Sequence, residues 1–490
     1  MTHLQTTDCS PFVKNTEKAD AGIKPAEEQA LKTLSRYSPK SHPDFNNWED
    51  QIVYQRPTRS EKSNDEWQTR WWAGRYIGYA IIKNKNANTN TNTNTIEISI
   101  KPRFGKDFLL TIIEEVYCIS FDNDASINKG DSDSWFSELL NVIRYKIWVS
   151  KCVVANRYGL PRTNVNREHH GVILKGRIDI HRTLLPWMLK KEVVTKTSEK
   201  VLDDSICKIV YEAYRILQKG VKQNKKVKKT TDAQTVQDVI KTLESNYKGT
   251  LVDVSESDYN RIRYKSIYVM WKPLVDFSWS IIKGKKIGMK ESDTQHECVF
   301  VDVAEIWEAF LRKKLSEGMS NESWRVWSVD ECKKEIYKDS FFKRHIIPDI
   351  VLHRISKIDG KDEFLVFDAK YKRMVGEKED VDRSDFFQIH TYMHYFQHVY
   401  PNSRVLLGGL LYPLDEKFND FQVNNLFGYA DGKFDTKFII DGIVCSDLNT
   451  DDNQKTKSDT DKQQEVKDKL QERVQDMISR IKNISNIRYL

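Results

Sequence analysis

The sequence has few cysteines and no long apolar run, and both shortages exclude classes of protein. No stretch of its 490 residues approaches the roughly 18 apolar residues of a membrane-spanning helix. Seven cysteines stand singly, without a CxxC pair or a close cysteine–histidine group, so no structural zinc site is expected. The polar N-terminus, MTHLQTTDCSPFVKNTEKADAG, lacks the apolar core of a secretory signal. These absences predict a soluble cytoplasmic protein that does not bind a membrane.

The composition is that of a globular protein with more than one core. Hydrophobic residues make up 39% of the sequence and aromatic residues 11%, which excludes a chain that is disordered as a whole. A chain of this length is too long for a single core, so two or three domains are expected.

Positive charge is unevenly distributed, although the formal net charge is only +7. Seven Lys and Arg residues and no acid lie between Arg215 and Lys229, and four lysines lie between Lys283 and Lys290. Such clusters suit a polyanion such as DNA. A solvated loop that merely carries charge explains either run alone equally well.

Alternation of apolar and polar residues predicts a β-hairpin early in the chain. The segments RYIGYAII, residues 75–82, and TIEISIKP, residues 95–102, have the pattern of strands. The low-complexity segment NKNANTNTNTNT between them predicts an enlarged hairpin tip. Residues 174–180, LKGRIDI, are predicted to form a strand that contains charged residues. The first 45 residues are polar and are predicted to be largely disordered.

Charged residues interrupt two neighbouring apolar strands in the C-terminal half. In the segment PDIVLHRISKIDGKDEFLVFDAKYK, Asp349 follows a proline, and Asp368 and Lys370 follow the apolar run FLVF. Charged groups are rarely buried in core strands unless they are paired or bind a metal. This arrangement therefore predicts that the charged groups at the end of the hairpin are paired or bind a metal.

The predicted turn brings these groups to one face of a sheet. Asp359-Gly360 has the pattern of a two-residue hairpin turn. That turn would pair Asp349 with Lys370, and Asp368, two residues before Lys370, would project to the same side. A shift of one residue would move Asp349 to the opposite face, so the prediction depends on the turn.

Two carboxylates and a lysine on one face suit phosphodiester cleavage. Two carboxylates that share a site repel each other, and a divalent cation relieves the repulsion. Oxygen ligands in this number suit Mg²⁺, which activates a bound water and polarises a phosphodiester. The alternative is a buried Asp–Lys ion pair without a metal.

The motif Pro348-Asp349 followed by Asp368-Ala369-Lys370 resembles the PD-(D/E)xK nuclease signature. The resemblance implies that the two acids bind metal and that the lysine assists hydrolysis. It also implies a helix, a strand hairpin, a second helix and a further strand. The matching segments are VDVAEIWEAFLRKKL at 301–315, the helix predicted at 384–400, and RVLLGGLLY at 404–412.

The same resemblance implies supporting residues on the two helices. Glu308 is the expected acid near the metal on the first helix, and Glu305 is the alternative. Gln388 and Tyr392 resemble the QxxxY element of several such nucleases. Because they are four residues apart they lie on one helix face. Chance placement of this pair is an equally good explanation.

Three longer segments resemble the McrC subunit of modified-cytosine restriction systems. They are residues 75–105, 159–180 and 348–413, and GRIDI and DAKYK are their most specific parts. The resemblance implies a Mg²⁺-dependent endonuclease that cuts double-stranded DNA containing modified cytosine. It also implies an N-terminal domain that docks onto a McrB-like AAA+ GTPase hexamer and stimulates its GTP hydrolysis. The chain lacks a GxxxxGK[ST] phosphate loop, which agrees with a subunit that binds no nucleotide itself.

Charged residues of the second segment are candidates for contact with the partner. Arg177 and Asp179 in GRIDI are two residues apart on the predicted strand and so share a face. They either form an internal ion pair that fixes the domain, which is the favoured interpretation, or act on the partner's nucleotide site. Arg162 in GLPRT is open to the same two interpretations.

The expected fold is therefore α/β (α+β), with a mixed β/helical partner-docking domain before a PD-(D/E)xK restriction-endonuclease-like domain. The predicted boundaries are 1–45 for the polar segment, 46–285 for the docking domain, 286–447 for the nuclease domain, and 448–490 for a charged linker and an amphipathic helix. That helix either folds back on the nuclease domain or pairs with a partner. Two alternative functions stay open: a stand-alone repair or recombination nuclease, and a non-cleaving subunit that activates a GTPase.

Overall fold

The structure, a computed structural model, divides the chain into two compact units. The first unit comprises Met1–Ser137 and Ile287–Leu490, and the second comprises Glu138–Lys286. The residues that the structure describes are 2–12, 23–40, 48–59, 67–85, 93–119, 121, 133–221, 231–249, 254–286, 297–337, 341–342, 344–374, 381–400, 402–416, 424–425, 436–448 and 459–486.

Helices and β-strands occur along the whole described chain, which confirms the predicted α/β (α+β) class. The elements up to residue 286 are β1 Thr2–Thr7, α1 Pro25–Ser35, β2 Val53–Arg59, β3 Trp67–Ala73, β4 Tyr76–Lys85, β5 Thr93–Lys101, α2 Gly105–Tyr117, α3 Asp133–Ala155, β6 Arg162–Gly171, β7 Arg177–Ile178, α4 Ile180–Lys190, β8 Val193–Leu202, α5 Asp204–Val221, α6 Thr231–Tyr247, α7 Glu256–Asn260 and α8 Lys272–Lys286. The later elements are β9 Glu297–Asp302, α9 Val303–Met319, β10 Arg325–Val326, α10 Val329–Cys332, β11 Lys334–Ile336, β12 Arg344–Ile346, β13 Ile350–Ile355, β14 Asp362–Ala369, α11 Arg383–Val399, β15 Ser403–Leu414, β16 Asn424–Asn425, β17 Lys437–Val444 and α12 Asp459–Asn486. No helix of the described residues is long and apolar enough to cross a membrane.

One sheet of the first unit joins distant parts of the chain, in the order β1-β5-β4-β9. Strands β4 and β5 are antiparallel, which confirms the predicted hairpin, and its tip at 86–92 lies outside the described residues. Strand β9 pairs with β4 from Tyr76↔Asp302 to Ile81↔Glu297. The predicted boundary between the domains 46–285 and 286–447 therefore divides a sheet. The sequence did not indicate this, because strand pairing over such a distance leaves no local pattern.

The first 45 residues, predicted to be largely disordered, contain two ordered elements. Strand β1 pairs in parallel with β5. Helix α1 buries Ala30, Leu31 and Leu34 in the core of the same sheet. These apolar residues have helical spacing but are too few to change the polar composition of the segment, which explains the difference. Residues 13–22 and 41–47 lie outside the described part.

A second sheet of the first unit has the order β10-β13-β14-β15-β17-β16. Strands β13 and β14 are antiparallel, whereas β15 is parallel to both β14 and β17. Helix α9 precedes the sheet and α11 connects β14 to β15. This order of helix, hairpin, helix and strand is the one predicted from the sequence. Phe364 and Val366 of β14 and Phe396 of α11 belong to one hydrophobic core.

The second unit contains a helical core and a small sheet. Trp148 and Trp271 are fully buried among residues from α3, α5, α6 and α8. The sheet has the order β6-β8-β7, and α4 connects β7 to β8. Most of the basic run that ends at Lys229, residues 222–229, lies outside the described residues, as do 287–290 of the second run.

Helix α12 packs against β17 and α9 within the first unit. Of the two arrangements left open by the sequence, it therefore adopts the one in which it folds back on its own chain. The five apolar residues predicted to share one side of this helix are all buried: Val466, Leu470, Val474, Met477 and Ile481. Arg480 binds both carboxylate oxygens of Asp441 on β17, at 2.9 and 3.0 Å. Ile478 packs against Gly318 of α9 so closely that a Cβ atom there would lie 2.5 Å from its Cδ1.

We expect Ile481→Ala to lower the free energy of unfolding by about 2–5 kcal/mol, because it leaves a cavity in a close-packed core. Gln475→Ala, at an exposed position of the same helix, is the matched control and should change it little. Urea denaturation of the two variants measures both effects. Equal stability of the two variants would show that α12 does not contribute to the core.

Candidate active site

The two acidic residues of the hairpin lie opposite each other. The pairing of β13 with β14 runs from Ile350↔Phe367 to Ile355↔Asp362. Continued by one residue, this register sets Asp349 opposite Asp368. The predicted pairing of Asp349 with Lys370 is therefore wrong by two residues.

The register differs because the connecting loop is longer than the predicted two-residue turn. The Ser356 N–H donates to the Lys361 carbonyl at 2.8 Å, and the Gly360 N–H donates to the Ser356 carbonyl at 3.0 Å. Gly360 has φ +68°, a left-handed conformation that favours glycine. Because side chains alternate with a period of two, a shift of two residues leaves each on its predicted face.

The carboxyl group of Asp368 is buried, and the half-buried Asp349 lies opposite it. Asp368 is 1% exposed, and Asp349 Oδ2 accepts a hydrogen bond from the Ala369 N–H at 2.8 Å. Burial, followed by repulsion from Asp368 and Glu308, raises the pKa of Asp349 well above its usual range. Burial also raises the pKa of Asp368, against the opposing effect of Lys370. Repulsion from Asp368 thus disfavours the charge of Asp349, whereas a side-chain hydrogen bond with Asp349 partly offsets the rise in the pKa of Asp368.

The Lys370 ammonium group lies among acceptors from the strand and from α11. Its Nζ is 2.7 Å from Asp368 Oδ2 and 3.1 Å from Asp385 Oδ1. It also donates to Gln388 Oε1 at 3.0 Å. Gln388 Nε2 in turn donates to the Tyr392 hydroxyl at 2.8 Å. The structure therefore brings the predicted glutamine and tyrosine to the predicted lysine.

Asp385 is a residue of this cluster that the sequence analysis missed. It lies in the first turn of α11, is 3% exposed, and also binds Lys372 Nζ at 2.7 Å. Two features of the sequence pointed to it. It precedes Gln388 by three residues and therefore shares its helix face, and Lys372 repeats the lysine of the motif two residues later.

Glu308 is the acid of α9 that approaches the site. Its Oε1 accepts a hydrogen bond from Arg312 Nη2 at 2.9 Å, and Arg312 also donates to the main-chain carbonyl of Asp349. Burial raises the pKa of Glu308, and Arg312 opposes this effect. Glu305, the alternative, is exposed one turn earlier. The arginine thus ties the acid of α9 to the backbone of the hairpin.

The acids present suit a cation that keeps much of its water. Across the described ranges, no group of three or more His, Cys, Asp or Glu side chains is placed to hold a metal ion. Asp349 and Asp368 offer two carboxylates. Mg²⁺ is commonly bound by one or two carboxylates and several waters, and the repulsion within this pair fits such an ion.

A buried polar cluster fixes the backbone that follows Lys370. The Arg103 guanidinium lies over the ring of Tyr371, 5.1 Å from its centroid, and Nη2 donates to the Lys372 carbonyl at 3.0 Å. Asp8, fully buried, accepts the Arg103 backbone N–H at 2.6 Å. The thiol of Cys9 donates to the Tyr371 carbonyl at 3.3 Å. The N-terminal segment and the end of β14 are therefore held together by one arginine.

The charged residues of GRIDI are arranged differently from the prediction. The predicted strand over 174–180 is reduced to β7, because Asp179 caps α4 and accepts the Arg182 N–H at 3.3 Å. The predicted ion pair between Arg177 and Asp179 is also wrong, since Asp179 pairs with Lys196 at 2.6 Å. The residue that precedes β7, Gly176, has φ +83°, and a Cβ there would lie 2.6 Å from the Lys196 carbonyl oxygen.

The two arginines named as partner candidates are both exposed. Within the described residues, neither Arg177 nor Arg162 uses its guanidinium in a hydrogen bond or ion pair; Arg162 contributes its carbonyl, which accepts from Lys265 Nζ at 2.9 Å. Both side chains are therefore available to a partner.

A comparison with protein families identifies the family of the chain. The model of the McrBC 5-methylcytosine restriction system component matches residues 73–413, more than half of the chain. The chain belongs to this McrBC family. The family predicted from the GRIDI and DAKYK segments is therefore confirmed. No curated protein matches it.

Two solved structures are similar to the McrBC-family chain. One is a refined half-complex from a tetradecameric assembly of Thermococcus gammatolerans McrB AAA+ hexamers with bound McrC; identity is 13%, 96% of this chain and 100% of that chain are covered, and the TM-score is 0.38. The other is the cryo-EM structure of the Thermococcus gammatolerans McrBC complex, with 12% identity, 65% and 88% coverage, and a TM-score of 0.34.

We expect Arg103→Ala to destabilise the first unit by about 3–5 kcal/mol, because it leaves the buried Asp8 carboxylate without its cation. His3→Ala is the control, since the His3 side chain is half exposed on β1. Urea denaturation followed by tryptophan fluorescence measures both. A loss no larger than that of the control would show that the buried cluster does not hold the strand end.

Proposed function

We propose that this McrBC-family chain is the Mg²⁺-dependent DNA endonuclease subunit of a modified-cytosine restriction complex. The observation that carries the proposal is the pairing of the half-buried Asp349 with the buried Asp368, beside the Lys370 ammonium group. A buried ion pair serving stability alone would need one carboxylate, whereas here a second one raises the electrostatic cost. Such an arrangement is typical of functional sites.

The proposed roles follow from the positions of the side chains. Asp349 and Asp368 would hold Mg²⁺, which when bound lowers the pKa of a water and polarises the phosphodiester. The Lys370 ammonium orients the attacking water or stabilises the negative charge that develops on the phosphorus oxygens. Gln388 positions Lys370, and Tyr392 positions Gln388. Glu308 supports the metal or acts as a base.

The proposed substrate and location rest on the family and on composition. Membership of a 5-methylcytosine restriction family supports double-stranded DNA with modified cytosine as the substrate. The clusters of positive charge suit its phosphates. All seven cysteines are free, as is usual in the reducing cytoplasm, where we propose that the protein acts.

An exposed apolar surface in the second unit suits a protein partner. No residue of α4 is buried. The exposed apolar residues of this helix and of the preceding loop, here called the α4 surface, are Val172, Ile173, Leu174, Ile180, Leu184, Leu185, Trp187, Met188 and Leu189. Apolar surface of this extent on a folded unit marks an interaction site. We propose that a McrB-like AAA+ GTPase binds here.

Polar contacts fix α4 without covering this surface. The Thr183 hydroxyl accepts the Val194 N–H at 3.0 Å, and Lys196 binds Asp179 at the start of the helix. Arg182 binds Glu168 of β6 at 2.7 Å. The helix is thus anchored to the sheet by its polar residues, which leaves its apolar residues for a partner. The exposed Arg177 precedes it and suits an acidic or phosphate group of that partner.

We expect Asp349→Ala, Asp368→Ala and Lys370→Ala each to lower DNA cleavage at least about 100-fold, because each removes a group that stabilises the transition state. Asp362→Ala is the control, since this carboxylate lies on the same strand but is 41% exposed and outside the site. Cleavage is measured with Mg²⁺ on methylated and unmethylated plasmid, with and without the GTPase and GTP.

The outcomes separate the three functions. Cleavage that needs the GTPase, GTP and methylation, and that Asp368→Ala abolishes, supports the restriction subunit. Cleavage by the chain alone, regardless of methylation, supports a stand-alone nuclease. Stimulated GTP hydrolysis without any cleavage supports an activating subunit. Full activity of Asp368→Ala would show that the site lies elsewhere.

We expect the double variant Leu185→Asp/Met188→Asp to weaken binding of the GTPase more than tenfold, because it places two charges in the buried part of the interface. Ile267→Asp is the control, since Ile267 is an exposed apolar residue of the same unit outside the α4 surface. Binding is measured by titration and by stimulated GTP hydrolysis. Unchanged stimulation by the double variant would exclude the α4 surface as the docking site.

A further inference from the structure

We infer that Asp385 is a positioning residue for Lys370, and that with Gln388 it keeps the ammonium group in the site when Asp368 serves as a metal ligand. This inference rests on the proposed function and deepens it. It assigns a role to a carboxylate of α11 that does not itself touch the reacting atoms.

The geometry gives Lys370 two kinds of support. Asp368 Oδ2, at 2.7 Å, comes from the strand, whereas Asp385 Oδ1 and Gln388 Oε1, at 3.1 and 3.0 Å, come from α11. An ammonium group has three N–H donors that point in different directions. The contacts from α11 are therefore independent of the carboxylate that the proposed metal requires.

Charge explains why a carboxylate is needed at this position. Lys370 is 9% exposed, and a buried ammonium group is costly without an anion beside it. Asp368 has to serve both the ammonium and the cation, so its attraction for Lys370 falls when a cation binds. Gln388 offers only a neutral amide oxygen. Asp385 is the anion that stays with the lysine.

Asp385 is itself held in place from both sides. Its Oδ2 binds Lys372 Nζ at 2.7 Å, and Lys372 also binds Asp382 at 2.8 Å. The carbonyl of Lys372 is fixed by Arg103 at 3.0 Å. The carboxylate thus bridges two lysines that are two residues apart, and Lys370 is oriented from a rigid helix. A displacement of about 1 Å in such a group costs about 100-fold in rate.

The first test compares the cleavage kinetics of Asp385→Asn with those of Asp382→Asn. Asp382 is the matched control because it binds Lys372 but not Lys370. We expect Asp385→Asn to lower kcat about 100-fold with little change in KM, since DNA binding does not depend on the orientation of Lys370. Asp382→Asn should keep parental kinetics. Asp385→Glu, which retains the charge, should recover most of the lost kcat.

The second test needs neither metal nor DNA. In EDTA, acetic anhydride modifies lysines that are released from their partners, and mass spectrometry reports the extent at each position. We expect the acetylation of Lys370 to rise several-fold in Asp385→Asn and to stay at the parental level in Asp382→Asn. Circular dichroism shows whether each variant is folded. If Asp385→Asn unfolds, Asp385→Asn/Lys372→Met is compared with Lys372→Met, because this pair leaves no second buried ammonium group.

The outcomes distinguish this inference from the proposed function. Loss of cleavage in Asp368→Ala together with parental kcat and parental Lys370 acetylation in Asp385→Asn would overturn the role of Asp385 and leave the nuclease intact. Parental cleavage in Asp368→Ala would overturn both. An equal loss of kcat in Asp385→Asn and Asp382→Asn would assign the effect to Lys372 and would overturn the inference.

Discussion

The contact between Asp368 and Lys370 is the interaction on which the arrangement of the candidate site depends. Two opposite charges at the end of a central strand are buried, so each has to be compensated by groups that the fold supplies. Helix α11 supplies Asp385 and Gln388 to the ammonium group, whereas Asp349 from the hairpin adds a second carboxylate beside Asp368. The position of α11 over β14 and β15 is thereby determined by polar contacts at one end and by the packing of Phe396 at the other.

Much of this site was predictable because it depends on local patterns. The apolar run FLVF followed by Asp368 and Lys370, and the period of α11, are properties of short segments. The register of the hairpin was not, since Asp359-Gly360 fits a two-residue turn as well as the longer loop that forms. The predicted face of the sheet did not change, because strands alternate with a period of two and the register error was two residues. Asp385 was missed because an acid in the first turn of a helix is usually a surface residue whose negative charge interacts favourably with the helix dipole.

What the sequence did not reveal is pairing between distant segments. The pairing of β9 with β4 and of β1 with β5, and the burial of Arg103 between Asp8 and Tyr371, involve residues whose neighbours in the sequence are unremarkable in composition. The GRIDI segment shows a related difficulty. Its apolar and charged residues alternate as in a strand, but Asp179 has the chemistry of a helix cap and ends the strand there.

The pairing of β4 with β9 also has a consequence for biosynthesis. The whole second unit, Glu138–Lys286, lies between these strands in the sequence. At translation rates of about 5–20 residues per second, the ribosome takes about 7–30 s to make that unit. Throughout this interval the edge of β4 that will bind β9 is an open strand edge, a surface prone to intermolecular pairing. The second unit is therefore the first to be completed on the ribosome, and the strands that carry Asp349 and Asp368 are made only after the chain has a partner for that edge.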